Sequence, residues 1–261
     1  MNGEVAQIVA LVAHGNLFLS GEDVDLSENT TLRYVYSIKF IRYKDNQDTR
    51  GVEVANNVSE WFSFLRSAKV NRLWHIDFSG WQRQDIPAYA ASAFSGYIRN
   101  AIQADLPKDF EIWYQQWRGG GDEYKPWIVK YGSLISPNSY ASPVPEMSVA
   151  KNRLKQAVLR ARDFAFRKRW IKKFTESLES LESSAPTLPY PDMLPSSGFP
   201  LEARQLLASA AKAYLFGGMG SWYDMTFPNN PETAKRYEEI TKELDEAIQF
   251  AIVTASNSFT A

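Results

Sequence analysis

An α+β fold is predicted for this chain, with a mostly antiparallel sheet and helices in the first half and helices alone in the second. Three observations predict it. Up to about residue 132, two-residue alternation and helical three-to-four spacing take turns. A glycine loop at 119–121 separates two aromatic-rich extended segments, the mark of a hairpin. From residue 149 onward, past a proline-rich connector at 133–148, only helical spacing remains, interrupted by a second such connector at 184–200.

In chain order, residues 3–14 read as a helix stopped by Gly15, and Leu17–Leu19 as a short strand before the acidic loop of Glu22, Asp23, Asp25 and Glu28. The segment from Leu32 to Tyr43 alternates, placing Leu32, Tyr34, Tyr36, Ile38 and Phe40 on one face of a strand. Val58–Ala68 is expected to be a helix, Leu73–Phe78 a strand, and Ile86–Ala104 a helix with Pro87 in its first turn. Phe110–Trp117 and Pro126–Tyr131 form the hairpin, which makes three to five strands in the region 1–132. Residues 149–183 make one long basic amphipathic helix or two abutting ones, expected to bridge the two halves. Leu201–Phe216 adds another helix in the region 201–261. A final helix starts at Pro231 behind the cap Asn230 and runs to about Ala255, burying Tyr237, Ile240, Leu244, Ala247, Ile248 and Ala251.

Composition narrows the function. A chain of 261 residues with 44% hydrophobic and 14% aromatic content can bury a sizeable core. Its 29 basic and 30 acidic residues give a net charge of −1, so bulk charge does not point to nucleic acid or to an anionic membrane. The absence of cysteine excludes disulfides and thiolate metal sites and fits a reducing cytoplasm. Val5–Ala13 is a short apolar stretch preceded by Glu4 instead of a basic segment, and no run reaches the roughly 20 apolar residues of a membrane span. A cytoplasmic protein without membrane contact is expected. No cofactor is expected either: the Arg118–Asp122 loop leads into a strand and not into the helix of a phosphate-binding loop, and no serine sits in a Gly-x-Ser-x-Gly elbow.

Three groups of side chains could carry function. Six of the eight tryptophans lie between 61 and 127, and Trp113 and Trp117 share a strand face, where they could anchor a partner or fill the core. His75 and Asp77 share a face of one strand, and Asp109 and Glu111 share a face of another. Paired, the two strands would bring an imidazole and carboxylates to a divalent metal in an enzyme; a histidine satisfied in the core is the simpler reading. The third group is the basic segment. Between 151 and 173 ten Lys and Arg stand against Asp163 alone. On a helical wheel Leu154, Ala157, Val158, Ala161, Phe164 and Ala165 form one apolar stripe, and Leu159, Phe166 and Trp170 a second. Lys151, Lys155, Arg162, Arg169 and Lys173 line one border, and Arg153, Arg160 and Arg167 the other. Such a helix either lies between two layers with its cations reaching along its edges to water, or offers one face to an acidic protein or to phosphates. Acidic residues at 22–28 and 238–246 are available to take up these cations internally.

One short string is similar to a known pattern. Tyr214-Leu-Phe-Gly-Gly-Met-Gly-Ser-Trp-Tyr-Asp224 follows an amphipathic helix and resembles the Phe-Gly-Gly-Met-Gly-Ser-aromatic-Asn-Asp motif of small bacterial proteins of toxin-immunity and defence type. The match covers Leu201 to about Phe227, with Tyr223 where the pattern has Asn. It implies a setting and assigns no catalytic residue. In the chain itself, the glycines suit a helix stop and tight reversal, and Ser221 can cap the turn that follows.

The expectation is therefore a non-catalytic intracellular protein-binding protein of immunity or defence type. Its contact residues would be Leu159, Phe166, Trp170, Arg160, Arg162, Arg167 and Arg169, together with Trp113 and Trp117. Nucleic-acid binding through 151–173 and metal-dependent catalysis at His75 are the alternatives.

Overall fold

Six strands and six α-helices form among the residues that the computed structural model describes, namely 1–45, 48, 50–78, 99–141, 143–216 and 221–260. They belong to two compact units. A sheet unit is built from Asn2–Pro143 with Asp192–Gly198 and the residues from Phe259, and a helical unit from Val144–Pro191 and Phe199–Ser258 with Met1.

The sheet unit opens with α1 (Gly3–Leu19), whose Asn2 cap accepts from Val5 N. The helix does not stop at Gly15, and Leu17–Leu19 is its last turn instead of a strand. Gly15 serves packing: a Cβ there would overlap the Leu73 side chain and press on Phe62. Next to it Asn16 donates to Leu73 O at 2.9 Å and accepts from Leu73 N at 2.8 Å, so the helix is pinned edge-on to a strand.

The strands are β1 (Val35–Arg42), β2 (Val52–Ala55), β3 (Leu73–Asp77), β4 (Asn100–Asp105), β5 (Phe110–Gly119) and β6 (Trp127–Ser136), in the order β2-β1-β6-β5-β4-β3. Only β1 and β6 run parallel; every other pair is antiparallel. The β5–β6 hairpin forms as its sequence predicts, with Asp122 Oδ1 accepting from Tyr124 N and Lys125 N in the loop.

Three expectations are corrected here. Thr30–Leu32 is a 3₁₀ turn capped by Asn29, so the first strand begins at Val35 and not at Leu32. Its register against β6 shifts between Val35 and Ser37. That bulge breaks the parity of the alternation: Ile38 and Phe40 are buried, whereas Tyr34 and Tyr36 are exposed. Residues 100–105 form strand β4 and not the end of a helix, while the rest of the expected helix up to residue 98 lies outside the described residues. Asn100, Ala101, Ile102, Gln103 and Ala104 are buried on both faces, and a strand covered on both sides loses the alternation that would reveal it.

One face of the sheet packs Phe40, Ile102, Trp113, Val129 and Tyr131 against Ile8, Leu11 and Val12 of α1 and against Trp61, Phe62 and Leu65 of α2 (Val58–Ser67). Phe40 stacks on Trp61 at 4.5 Å and on Tyr131 at 5.2 Å. The opposite face gathers Ile76, Phe78, Ala101, Ile112 and Tyr114, with Tyr140 against them.

The helical unit contains α3 (Met147–Phe164), α4 (Lys168–Ser180), α5 (Leu201–Ala213) and α6 (Pro231–Ser256). Residues 149–183 thus contain two abutting helices, with Ala165–Arg167 between them. In α6 Asn230 accepts from Thr233 N and Pro231 opens the first turn, while Ile240, Leu244, Ala247, Ile248 and Ala251 are buried as the spacing requires. The centre of this unit is Trp222. Its ring meets those of Phe174 at 5.3 Å, Trp170 at 5.5 Å, Tyr237 at 5.8 Å and Phe164 at 6.3 Å, and its Nε1 donates to Thr241 Oγ1 at 2.7 Å.

Candidate functional site

The bend between α3 and α4 is the site that the helical unit builds. Ala165 and Arg167 have extended backbone there, although neither glycine nor proline is present. The cause is packing. Along an unbroken helix Phe164 and Trp170, six residues apart, would point about 120° from each other. Both rings reach Trp222, and the extended residues supply the turn that lets them. The same turn throws Phe166 outward: it is 63% exposed while Trp170 is 2% exposed.

Arg167 lies against the projecting ring, and further cations follow it in the chain. The Arg167 guanidinium lies 4.8 Å from the Trp170 ring centre and 5.9 Å from that of Phe166, and Arg169 lies 5.4 Å from Trp170. Lys168 and Arg169 occupy the first turn of α4, which has no acidic residue and no side-chain cap. Cations at a helix N-terminus oppose the helix dipole, a local conflict of the kind that stability alone would not retain. Ile171, 37% exposed, adds an apolar shoulder.

Most of the remaining cations of the segment find carboxylates inside the unit, while exposed Lys155 has none among the described residues. Arg153 meets Glu246 of α6 at 3.2 Å, Arg160 meets Glu243, Lys151 meets Glu182 at 3.2 Å, and Arg162 turns onto Asp163 at 3.2 Å. Lys172 and Lys173 share Glu176 at 3.9 and 2.9 Å, and the Lys173 ammonium holds that carboxyl below its usual range. Glu243 and Glu246 are therefore counter-charges of α3 and not merely a solvated edge. Among the described residues neither Arg167 nor Lys168 has a carboxylate partner.

The proposed contact residues accordingly take different positions. Phe166, Arg160, Arg167 and Arg169 are exposed, Arg162 and Leu159 are half-buried, and Trp170 is a core ring beneath them. In the sheet unit Trp113 is fully buried, edge-on to Phe40 and Trp61, and Trp117 is half-buried against Trp127 at 6.1 Å. The chain matches no family model, no curated protein and no solved structure. What the site can do therefore rests on its own geometry. The glycines and Met219 of the Phe216–Ser221 string lie outside the described residues. After them Ser221 N donates to Asp224 Oδ2 at 2.8 Å in the turn that delivers Trp222 to the core.

The carboxylate and histidine candidates do not converge. Glu111 is buried and receives Arg42 through two hydrogen bonds of 2.7 and 2.9 Å, with Ser133 Oγ donating at 2.8 Å. The pair holds the Arg42 guanidinium firmly charged, its pKa raised by Glu111, and Arg42 lies over the Phe64 ring at 4.8 Å. The registers put Glu111 opposite Ala104 and Ala104 opposite Leu73, whereas His75 lies opposite Ile102. Two strand spacings and a two-residue offset set Glu111 and His75 about 12 Å apart along the sheet. Direct ligands of one ion all lie within about 2.6 Å of it. Among the described residues no three His, Asp or Glu side chains gather as a metal would need. His75 Nε2 instead lies 2.8 Å from Asn100 Oδ1. The Arg42–Glu111–Ser133 triad carried no sequence signal, because it joins three strands distant in the chain. The bend was equally hidden, although the run Arg167-Lys168-Arg169 marked its charge.

Proposed function

We propose that this chain is a non-catalytic protein-binding protein and that the α3–α4 bend is its contact surface. The observation that carries the reading is the exposed Phe166, standing over a buried tryptophan among arginines and lysines. Aromatic and arginine side chains are the residues that dominate protein interfaces, and an apolar centre with a polar rim is their usual anatomy. The enzyme alternative has less support, since Glu111 is engaged by Arg42 and His75 by Asn100. The nucleic-acid alternative has lost Arg153 and Arg160 to Glu246 and Glu243. No helix among the described residues is long and apolar enough to cross a membrane. A reducing cytoplasm suits the cysteine-free chain, and the Phe216–Ser221 string favours a setting of immunity or defence, in which binding restrains the partner. Affinity capture of the full chain from its native host, with the neighbouring gene products expressed, should recover a protein in stoichiometric amount. Phe166→Ala should lose it. Recovery of no protein under those conditions would count against the reading.

A further inference from the structure

The charge around Phe166 specifies what kind of protein surface it fits. Between 162 and 176 six cations stand against Asp163 and Glu176, a local excess of four in a chain whose net charge is −1. Both carboxylates are already engaged, one by Arg162 and the other by Lys172 and Lys173, and among the described residues Arg167 and Lys168 have none. Arg167 is also pre-oriented. Its guanidinium sits in the corner between the Trp170 and Phe166 rings, 4.8 and 5.9 Å from their centres, and those rings supply no hydrogen-bond acceptor, so its N–H donors are left for a planar acceptor such as a carboxylate.

Resting on the reading that the bend is a protein contact, we infer that its occupant is a carboxylate-rich protein segment bearing an apolar socket for Phe166. Phosphate backbones fit less well. They are tracked by cations strung along a groove, and along α3 Arg153 and Arg160 are tied to α6, Lys151 to Glu182 and Arg162 to Asp163, which leaves Lys155 by itself. A membrane surface would ask for a broad apolar face, and only Phe166 and Ile171 project here. One exposed aromatic side chain within a short run of cations matches a pocket within an acidic segment.

The test uses the full chain with the photoreactive residue benzoylphenylalanine in place of Phe166, irradiated in the native host, with the cross-linked peptide then mapped. The cross-link is expected in a segment whose Asp and Glu outnumber its Lys and Arg by about three or more, as neutralising the local excess requires. Its yield in extracts should fall about tenfold between about 50 and about 500 mM NaCl, because screening removes attraction between exposed charges. Arg167→Gln with Lys168→Gln should reduce it similarly at low salt; both side chains are exposed, so the fold is retained. A protein cross-linked through a neutral or basic segment, with a yield indifferent to salt, overturns the acidic occupant and leaves the protein-binding reading standing. Cross-links to nucleic acid or lipid alone, or none, overturn both.

Discussion

His75 sits in the middle of β3 with its ring buried, and its Nε2 bonds Asn100 Oδ1. Burial lowers its pKa to about 4, while the bond to Asn100 and the charge of Asp77 push weakly upward. Because the folded state holds the ring neutral, its contribution is complete above the unfolded pKa of about 6.5. The contribution is lost as pH falls toward about 4, where the unfolded chain has already taken up the proton. A loss of about 1.4 kcal/mol per pH unit is expected from this group through that window, about 3 kcal/mol in all. Burial lowers the pKa of His14 too, so it acts with the same sign, opposed by Asp192. Urea unfolding at pH 7, about 5.5 and about 4.5 checks the assignment. His75→Gln should be less stable at neutral pH, yet its stability should fall less steeply on acidification. Parallel curves for the two proteins would mean that the ring is not kept neutral by the fold.

At the scale of elements, the features that could be read in advance are those set by local periodicity. The last helix was legible from Asn230 and Pro231 onward, and the β5–β6 hairpin from its glycine loop, because a cap, a turn and a single buried face all leave local marks. What stayed hidden depends on neighbours distant in the chain. The alternation from Leu32 to Phe40 is real, but a bulge against β6 sends Tyr34 and Tyr36 outward. Residues 100–104 have no alternation because both faces of the strand are buried, and the break at Ala165–Arg167 answers to Trp222, more than fifty residues on. Of the candidate site, the cations and Phe166 were visible. The separation of Phe166 from Trp170 was not, since a continuous wheel places them on one stripe. Gly15 makes the same distinction testable. Helix propensity alone favours alanine there by about 1 kcal/mol. Overlap with Leu73 and Phe62 in a closed core costs about 1–3 kcal/mol, and the overlap should win. Gly15→Ala is therefore expected to destabilise the protein by about 1 kcal/mol in thermal or urea melts. A rise in Tm would show that Leu73 yields and that the glycine is only a weak point in α1.

For the whole molecule the question is where the positive charge of 151–173 goes. A chain with 29 basic and 30 acidic residues is close to neutral, and the helical unit pairs much of that segment within itself, through Glu182, Glu243 and Glu246. These pairs are too exposed to hold the fold together. Arg153 and Glu246 are each 44% exposed, and such pairs contribute about 0.5 kcal/mol or less. They nevertheless decide the electrostatics, because a cation with a carboxylate beside it contributes little net field for a phosphate to respond to. Full-length protein at low micromolar concentration should therefore shift neither duplex nor single-stranded oligonucleotide even at about 50 mM salt, where counterion release is most favourable. If the borders of α3 and α4 were free, four to six phosphates could be engaged. Binding would then follow a log–log salt slope of about −4 to −5, and Gln at Lys151, Lys155, Arg162, Arg169 and Lys173 would flatten it for every sequence alike. A shift with that slope would overturn the internal pairing. A shift confined to Lys155, Arg167 and Lys168, which have no carboxylate partner among the described residues, would leave it in place, because three phosphate contacts give a slope no steeper than about −3.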